Sequence, residues 1–326
     1  MLVPILLFIA GLLCLIKGGD WFVDGASAMA RKFHLPELLI GATVVSIGTT
    51  LPEVMVSTMS AVSGHGEIAY GNAIGSVICN AALIAAVTIA VRPGKTNPAT
   101  LKTPVLFFFL SAAIYCVAAY VLGSFTRPVG FVMLGLFIAY MIITVRQMKR
   151  SPEEAGASEA GESEELMPTW KMILCLVVGG ALIAVGARLL VDNGTLIAKG
   201  LGVPESVIAL TFVALGTSLP ELVTAITSLV KGHSDLSLGN VIGANVFNLV
   251  LVSGVSVTLA PFDVPVSAKL AGYNASLVLE IPLMLTVMLI LTLPALLKGK
   301  LSRAQGILLL LIYAAFCAVQ FTLFSV

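Results

Sequence analysis

Charge is scarce in this chain. Asp, Glu, Lys and Arg together make up 11% of its 326 residues, against about 25% in soluble globular domains. Histidine is scarcer still: His34, His65 and His233 are the only three. They form no Ser/His pair and no H-E-x-x-H, which excludes an intramembrane serine or zinc protease. Eighteen basic residues balance seventeen acidic ones, so there is no electrostatic footprint for nucleic acid. The five cysteines (Cys14, Cys79, Cys116, Cys175, Cys317) show no C-x-x-C spacing and lie in or beside apolar runs. They read as small apolar fillers rather than a disulfide frame or a metal site. What is abundant is apolar material, 58% of the residues, with a mean hydropathy of +1.05. A soluble protein of this size has too little interior to hide it. The chain is an integral membrane protein.

Apolar runs of bilayer length come in ten pieces, near residues 2–23, 36–62, 67–91, 104–124, 128–147, 170–190, 204–230, 235–260, 274–297 and 304–325. The fold class expected is all-α. The first run is not a signal peptide, because it lacks a basic leading segment and has a counterpart at 170–190. Residues 148–169 are the one clearly soluble stretch and carry Glu153, Glu154, Glu159, Glu162, Glu164 and Glu165 among Ser, Gly and Ala. That composition builds no core and reads as an acidic tether. Threading the spans puts fourteen of the eighteen Lys and Arg on one side, leaving Arg127, Arg188, Lys199 and Lys269 on the other. The positive-inside rule makes the crowded side, with the linker, cytoplasmic and puts both termini outside. A bacterial or archaeal-type inner membrane is the expected location.

The chain repeats itself. T-V-V-S-I-G-T-T-L-P-E-V-M-V-S at 43–57 recurs as T-F-V-A-L-G-T-S-L-P-E-L-V-T-A at 211–225, an offset of 168. At the same offset G-N-A-I-G-S-V-I-C-N at 71–80 meets G-N-V-I-G-A-N-V-F-N at 239–248. Asp24 falls on Asp192, Pro36 on Pro204, Glu37 on Glu205, His65 on His233 and Glu67 on Asp235. The organisation expected is a five-helix repeat over 1–147 with its motif at 43–80, the linker 148–169, and a second repeat over 170–326 with its motif at 211–248. Five is odd, so the second repeat enters the membrane from the opposite side. Inverted repeats are an architecture of secondary transporters, with substrate at the repeat interface near midplane.

Glu53 and Glu221 stand deep in their spans, where a carboxylate is costly and usually functional. Each lies ten residues from the next turn, about 15 Å at 1.5 Å per residue, close to half a hydrocarbon core of about 30 Å. Pro52 and Pro220 precede them and are expected to break the helices and free carbonyls of Ser46, Ile47, Thr49, Ala214, Leu215 and Thr217. Freed carbonyls in a membrane need a partner, and a cation is one. Thr49, Thr50, Thr217 and Ser218 add hydroxyls; Asn80 and Asn248, each 27 residues after its glutamate, return to the same depth with amide oxygens. Six to eight such oxygens suit calcium and smaller subsets sodium. No His or Cys enters, which argues against zinc or copper. Asp24 and Asp192 are read as cap or interfacial residues, Glu280 as an edge or gate residue, and the two turn histidines as turn residues.

The duplicated G-T-(T/S)-L-P-E and G-N-x-x-G blocks resemble those of the calcium:cation antiporter superfamily, in its sodium/calcium exchanger branch, and the resemblance runs the length of the chain. It implies four central cation sites with the glutamates shared. Glu53 and Glu221, with the Thr49 and Thr217 carbonyls, would hold calcium; Ser46, Thr50, Ser76, Asn80, Ala214, Ser218 and Asn248 would complete the sodium and water sites. Two positions depart from the pattern. Ala244 stands where members often carry Ser, and Asn248 where some branches carry Asp. The implied function is exchange of sodium for calcium by alternating access, a transporter rather than an enzyme, with no cofactor. The expected state is a monomer in the lipid bilayer, its only other partners the two ions. A proton/divalent-cation exchanger is the alternative, because the same carboxylates could take protons; a cation channel is a further one.

Overall fold

A computed structural model of the protein describes residues 2–150, 167–201, 216–266 and 269–324. Most of the acidic linker and residues 202–215, including Ala214, Pro204 and Glu205, lie outside them. The described residues are nearly all helical. In chain order the helices are α1 Leu2–Lys32, α2 Glu37–Val62, α3 Gly66–Val91, α4 Pro98–Leu122, α5 Arg127–Arg150, α6 Thr169–Gly200, α7 Leu219–Val230, α8 Ser234–Leu259, α9 Ser276–Lys298 and α10 Arg303–Phe324. All but α7 are long and apolar enough among the described residues to cross a membrane; α7 is a shorter apolar helix. Two antiparallel strand pairs supplement them: β1 Ser124–Phe125 with β2 Phe262–Asp263, and β3 Lys269–Leu270 with β4 Tyr273–Asn274.

The offset of 168 carries into the secondary structure. It maps α1 onto 170–200 and α3 onto 234–259, which are the bounds of α6 and α8 to within one residue. The turns after α2 and α7 also match. Gly64 and Gly232 both adopt the left-handed conformation, at φ +83° and +89°. In each, the following histidine amide closes a bond five residues back, from His65 to the Ser60 carbonyl and from His233 to the Ser228 carbonyl, both 2.8 Å. This is the glycine-capped helix end. The correspondence slips after the third helix: α9 starts ten residues beyond the image of α4. The offset sets Ala112 opposite Glu280 in sequence, but the shifted start of α9 means that the two are not structural counterparts.

α1 and α6 run well past the expected ends at residues 23 and 190. At 1.5 Å per residue, 31 or 32 residues span about 46 Å, more than the hydrocarbon core. Hydropathy reads the membrane, whereas backbone hydrogen bonding continues beyond it.

The described residues fall into two compact units, Met1–Thr49 with Ile142–Val241 and Thr50–Met141 with Ile242–Val326. In the first, α1 and α6 pack antiparallel in backbone contact. A Cβ at Gly18 would lie 2.9 Å from the Gly179 carbonyl oxygen, and one at Gly11 2.9 Å from that of Gly186. Glycines at seven-residue spacing let the two backbones approach, which is how helices associate in lipid without a hydrophobic driving force. Phe22 lies against Gly48 and Gly180. Lys231, at the turn after α7, reaches Asp24 Oδ1 at 2.8 Å and the Asp20 carbonyl at 2.9 Å. Asp24 is thus an ion-paired residue inside a helix rather than a cap, and Asp192 lies four residues from Arg188 in α6.

In the second unit, the turns 92–97 and 299–302 bond to each other, Leu301 N to the Gly94 carbonyl at 2.8 Å and Thr96 N to the Gly299 carbonyl at 3.1 Å. The β1–β2 pair ties the other turns together, under a cluster of Tyr70, Tyr115, Phe125 and Phe262. The apolar stretches of α8 and α3 are 83% and 72% buried, whereas those of α1, α5 and α6 are 22% and that of α10 17%. α3 and α8 carry the second pair of sequence blocks, so the repeated motifs sit on the most enclosed helices.

Gly18→Val is expected to lower stability by about 1–3 kcal/mol, because the added carbons must force apart two backbones. Gly135 meets nothing within 4 Å of a Cβ, so Gly135→Val should unfold like the parent. Thermal unfolding of both variants in detergent checks this.

Candidate cation-binding site

The two G-T-(T/S)-L-P-E blocks fold differently. In α2, Ser46–Val62 is continuous α-helix straight through Pro52, and the irregularity lies upstream, where Gly41–Val45 forms a π-helical turn. Pro52 still withholds the N–H that the Gly48 carbonyl would accept, but the expected break is absent. In the second block the break is present. Thr217 and Ser218 are in a turn, Ser218 precedes the first helical residue at φ −88°, ψ 4°, and Pro220 occupies the first turn of α7, where its missing N–H costs nothing. Glu221 follows in that first turn and is fully buried, as is Glu53. The first turn of a helix favours a carboxylate.

The asparagines sit at matched irregularities. Asn80 opens the π-helical turn Asn80–Ala85 in α3, and Asn248 opens Asn248–Val252 in α8. Such turns cluster at functional positions because a wider turn re-aims side chains. Both amides are fully buried, and neither the nitrogen nor the oxygen of either has a hydrogen-bond partner among the described residues. Burying an amide without a bond costs on the order of 1–3 kcal/mol. Two equivalent positions that carry this cost are positions built to meet something else.

The structure distributes the expected ligands between the two units. In the first, Ser46 and Thr49 are drawn together on Asn240, and buried Ser218 stands beside Glu221 on α7, with Thr217 half-buried. In the second, Thr50, Glu53, Ser76, Asn80 and Asn248 are all buried, and the Asn248 turn packs against the helix that carries Ser76. Ala214 lies outside the described residues.

Two residues of the G-N-x-x-G blocks, Asn72 and Asn240, join the candidates only in the folded chain, although the motif itself is their signal in the sequence. Asn72 donates through Nδ2 to Ser57 Oγ at 2.7 Å and to the Glu53 carbonyl at 3.4 Å. Asn240 accepts from Ser46 and Thr49. Within the second block Ala244 is fully buried and Asn245 donates to Met288 Sδ at 3.1 Å; away from the blocks, Glu280 accepts from Gln320 Nε2 at 3.2 Å. Glu280 is therefore a partnered carboxylate of α9.

The family model for the sodium/calcium exchanger protein matches the chain over residues 3–146 and 171–322. The chain belongs to this family. It is 35% identical to a putative antiporter, CaxA, of Alkalimonas amylolytica over the whole of both chains. It is 31% identical to the sodium/calcium exchanger MaX1 of Methanosarcina acetivorans over 98% of this chain and 99% of that one. Its fold matches the solved sodium-calcium exchanger NCX_Mj, soaked with sodium and strontium, at a TM-score of 0.80 and 31% identity, covering 97% of this chain and 98% of that one. The chain is thus an all-α integral membrane protein of ten transmembrane helices in two inverted five-helix repeats, as the odd repeat number required.

Asn248→Leu replaces a buried amide lacking a bond with an apolar side chain of similar volume. In cation-free buffer it should unfold no earlier than the parent and up to about 1 kcal/mol later. If Asn248 is a sodium or water position, added sodium should raise the unfolding temperature less in the variant than in the parent. Thermal unfolding with and without sodium reads both effects.

Proposed function

We propose that the protein is a secondary antiporter that exchanges sodium for calcium by alternating access and works as an electrogenic calcium extruder. The observation that carries this reading is the pair of repeat-related glutamates, Glu53 and Glu221, both fully buried in apolar helices. Such burial is tolerated when a partner compensates the charge. Membership of the sodium/calcium exchanger protein family supports the same reading. In it, calcium is held by the two carboxylates and the Thr49 and Thr217 carbonyls. Ser46, Thr50, Ser76, Asn80, Ala214, Ser218 and Asn248 supply the sodium and water positions. The ions are substrates, and the protein is a transporter with no enzymatic step.

The coupling follows from charge. Two carboxylates give the site about −2; one divalent cation neutralises it and three monovalent cations leave about +1. Either ion occupies the shared glutamates, never both, so exposure to alternate sides forces exchange. A tenfold sodium gradient supplies about 1.4 kcal/mol per ion, so about 4 kcal/mol for three, and 100 mV adds about 2.3 kcal/mol for the net charge. Together these hold roughly a 10⁴-fold calcium gradient.

The repeats are assigned to 1–147 and 170–326, a division supported by the two stretches the family model matches. The linker 148–169 is cytoplasmic and both termini lie outside. The excess of Lys and Arg on the linker side supports that orientation. A bacterial or archaeal-type inner membrane is the location, in keeping with relatives from a bacterium and an archaeon.

Glu53→Gln and Glu221→Gln keep the side-chain shape and remove one of two site charges. Each should abolish calcium uptake into vesicles under a sodium gradient while expression and unfolding temperature stay near the parent's. Near-parent flux in either would remove that residue from the site.

An imposed membrane potential should change the initial calcium flux, and potassium should not. Flux indifferent to potential would contradict three-for-one exchange. Flux driven by a pH gradient and not by sodium would identify a proton/divalent-cation exchanger, and conductance without coupling would identify a channel.

A further inference from the structure

The G-N-x-x-G asparagines are related by the repeat, yet they work in opposite senses. Asn72 uses its amide nitrogen, donating to Ser57 Oγ and to the Glu53 carbonyl. Asn240 uses its oxygens. Its backbone carbonyl accepts from Ser46 Oγ at 3.0 Å, and its Oδ1 lies 3.2 Å from Thr49 Oγ1 and 3.4 Å from Ser46 Oγ. Its Nδ2 has no hydrogen-bond partner among the described residues, although the side chain is fully buried. The sequence shows the same asymmetry, since Ala225 stands at the repeat position of Ser57, the acceptor that Asn72 uses.

The backbone is built to bring Asn240 this close. Gly239, the first residue of the motif, lies so near α2 that a Cβ there would collide with the Leu38 carbonyl oxygen; one at Gly41 would collide with that of Leu236 and lie 2.8 Å from Asn240 N. Gly41 also opens the π-helical turn, and its carbonyl lies 2.8 Å from Ser46 Oγ. Two glycines therefore remove the side chains that would hold the helices apart, and Asn240 occupies the resulting approach.

A hydroxyl carries one hydrogen and two lone pairs. To face a cation with its lone pairs, it must send its hydrogen elsewhere, to an acceptor on the far side. We propose that Asn240 is a positioning residue whose Oδ1 takes the hydroxyl hydrogen of Thr49, so that the Thr49 oxygen is turned as a lone-pair donor toward the transported cation; the single Ser46 hydrogen lies nearer the Gly41 carbonyl. This rests on the assignment of Thr49 to the cation site and adds its hydroxyl to the carbonyl assigned there. Asn72 has a different task, anchoring the Glu53 backbone. The repeat thus sets one asparagine to hold a helix and the other to orient a hydroxyl, which makes the two repeats chemically unequal.

The test measures cation binding by thermal unfolding of the purified full-length protein titrated with calcium or with sodium. The variants are Asn240→Ala, Asn240→Asp, Thr49→Val and Thr49→Val combined with Asn240→Ala. Asn240→Ala removes the Oδ1 acceptor and should weaken binding of both ions about five- to tenfold. Asn240→Asp keeps an acceptor in place and should bind at least as well as the parent. Thr49→Val removes the hydroxyl that Oδ1 serves, so the double variant should bind no more weakly than Thr49→Val by more than about twofold. A residue that merely fills space would give additive losses. Parent-like binding by Asn240→Ala overturns the inference, as does full additivity, or a loss in Asn240→Asp equal to that in Asn240→Ala. If the parent itself shows no calcium-dependent shift that sodium competes away, the assigned function fails and takes this inference with it. A parent that binds with variants that do not couple defeats the inference alone.

Discussion

A carboxylate in a hydrocarbon layer must be compensated, and the arrangement of this protein follows from that requirement. Glu53 and Glu221 are fully buried in helices that have almost no other charge. A hydrocarbon core does not solvate a carboxylate, so burial there calls for a compensating partner. The hydroxyls one turn before each glutamate and the amides of Asn80 and Asn248 are poor choices for a lipid-filled core. Around a cation they are good ones. Among the described residues these buried amides have no hydrogen-bond partner, a cost that packing alone does not repay.

Backbone irregularity is the means. Helices hide their carbonyls, so a cation site in a membrane needs places where the ladder opens. Here the openings are of two kinds. A proline starts α7 after a turn at Thr217 and Ser218, while α2 keeps its helix through Pro52 and opens instead at the Gly41–Val45 π turn. In α3 and α8 the openings are matched, at Asn80 and Asn248. The repeats share a sequence pattern and yet differ in local structure.

Outside the glutamates, small residues do the packing. The α1–α6 contact is made by glycines placed every seven residues, and Gly239 plays the same part between α8 and α2. Surfaces that meet through backbone atoms have shallow relief. The charged groups gather where water returns, with Lys231 on Asp20 and Asp24, and His233 on Glu37 at 2.7 Å. Both contacts come from one short turn, which thereby ties the end of α7 to α1 and to the start of α2.

Much of this was legible in the residues. Hydropathy counted the spans, because a membrane core demands uninterrupted apolar length. The offset of 168 exposed the repeat, and five spans per repeat required inversion. Glu53 and Glu221 stood out because a charge there has few harmless explanations. Other features needed the folded chain. The lengths of α1 and α6 escaped a hydropathy reading, which senses lipid and not the helix beyond it. Pro52 predicted a break, and the helix instead runs straight through it. The registration of α9 slipped because a longer turn, with its own β pair, precedes it. The roles of Asn72 and Asn240 were invisible because equal residues in a repeat predict equal functions. Which end of an amide is used depends on what faces it, and only tertiary packing places Ser57 before one and Thr49 before the other.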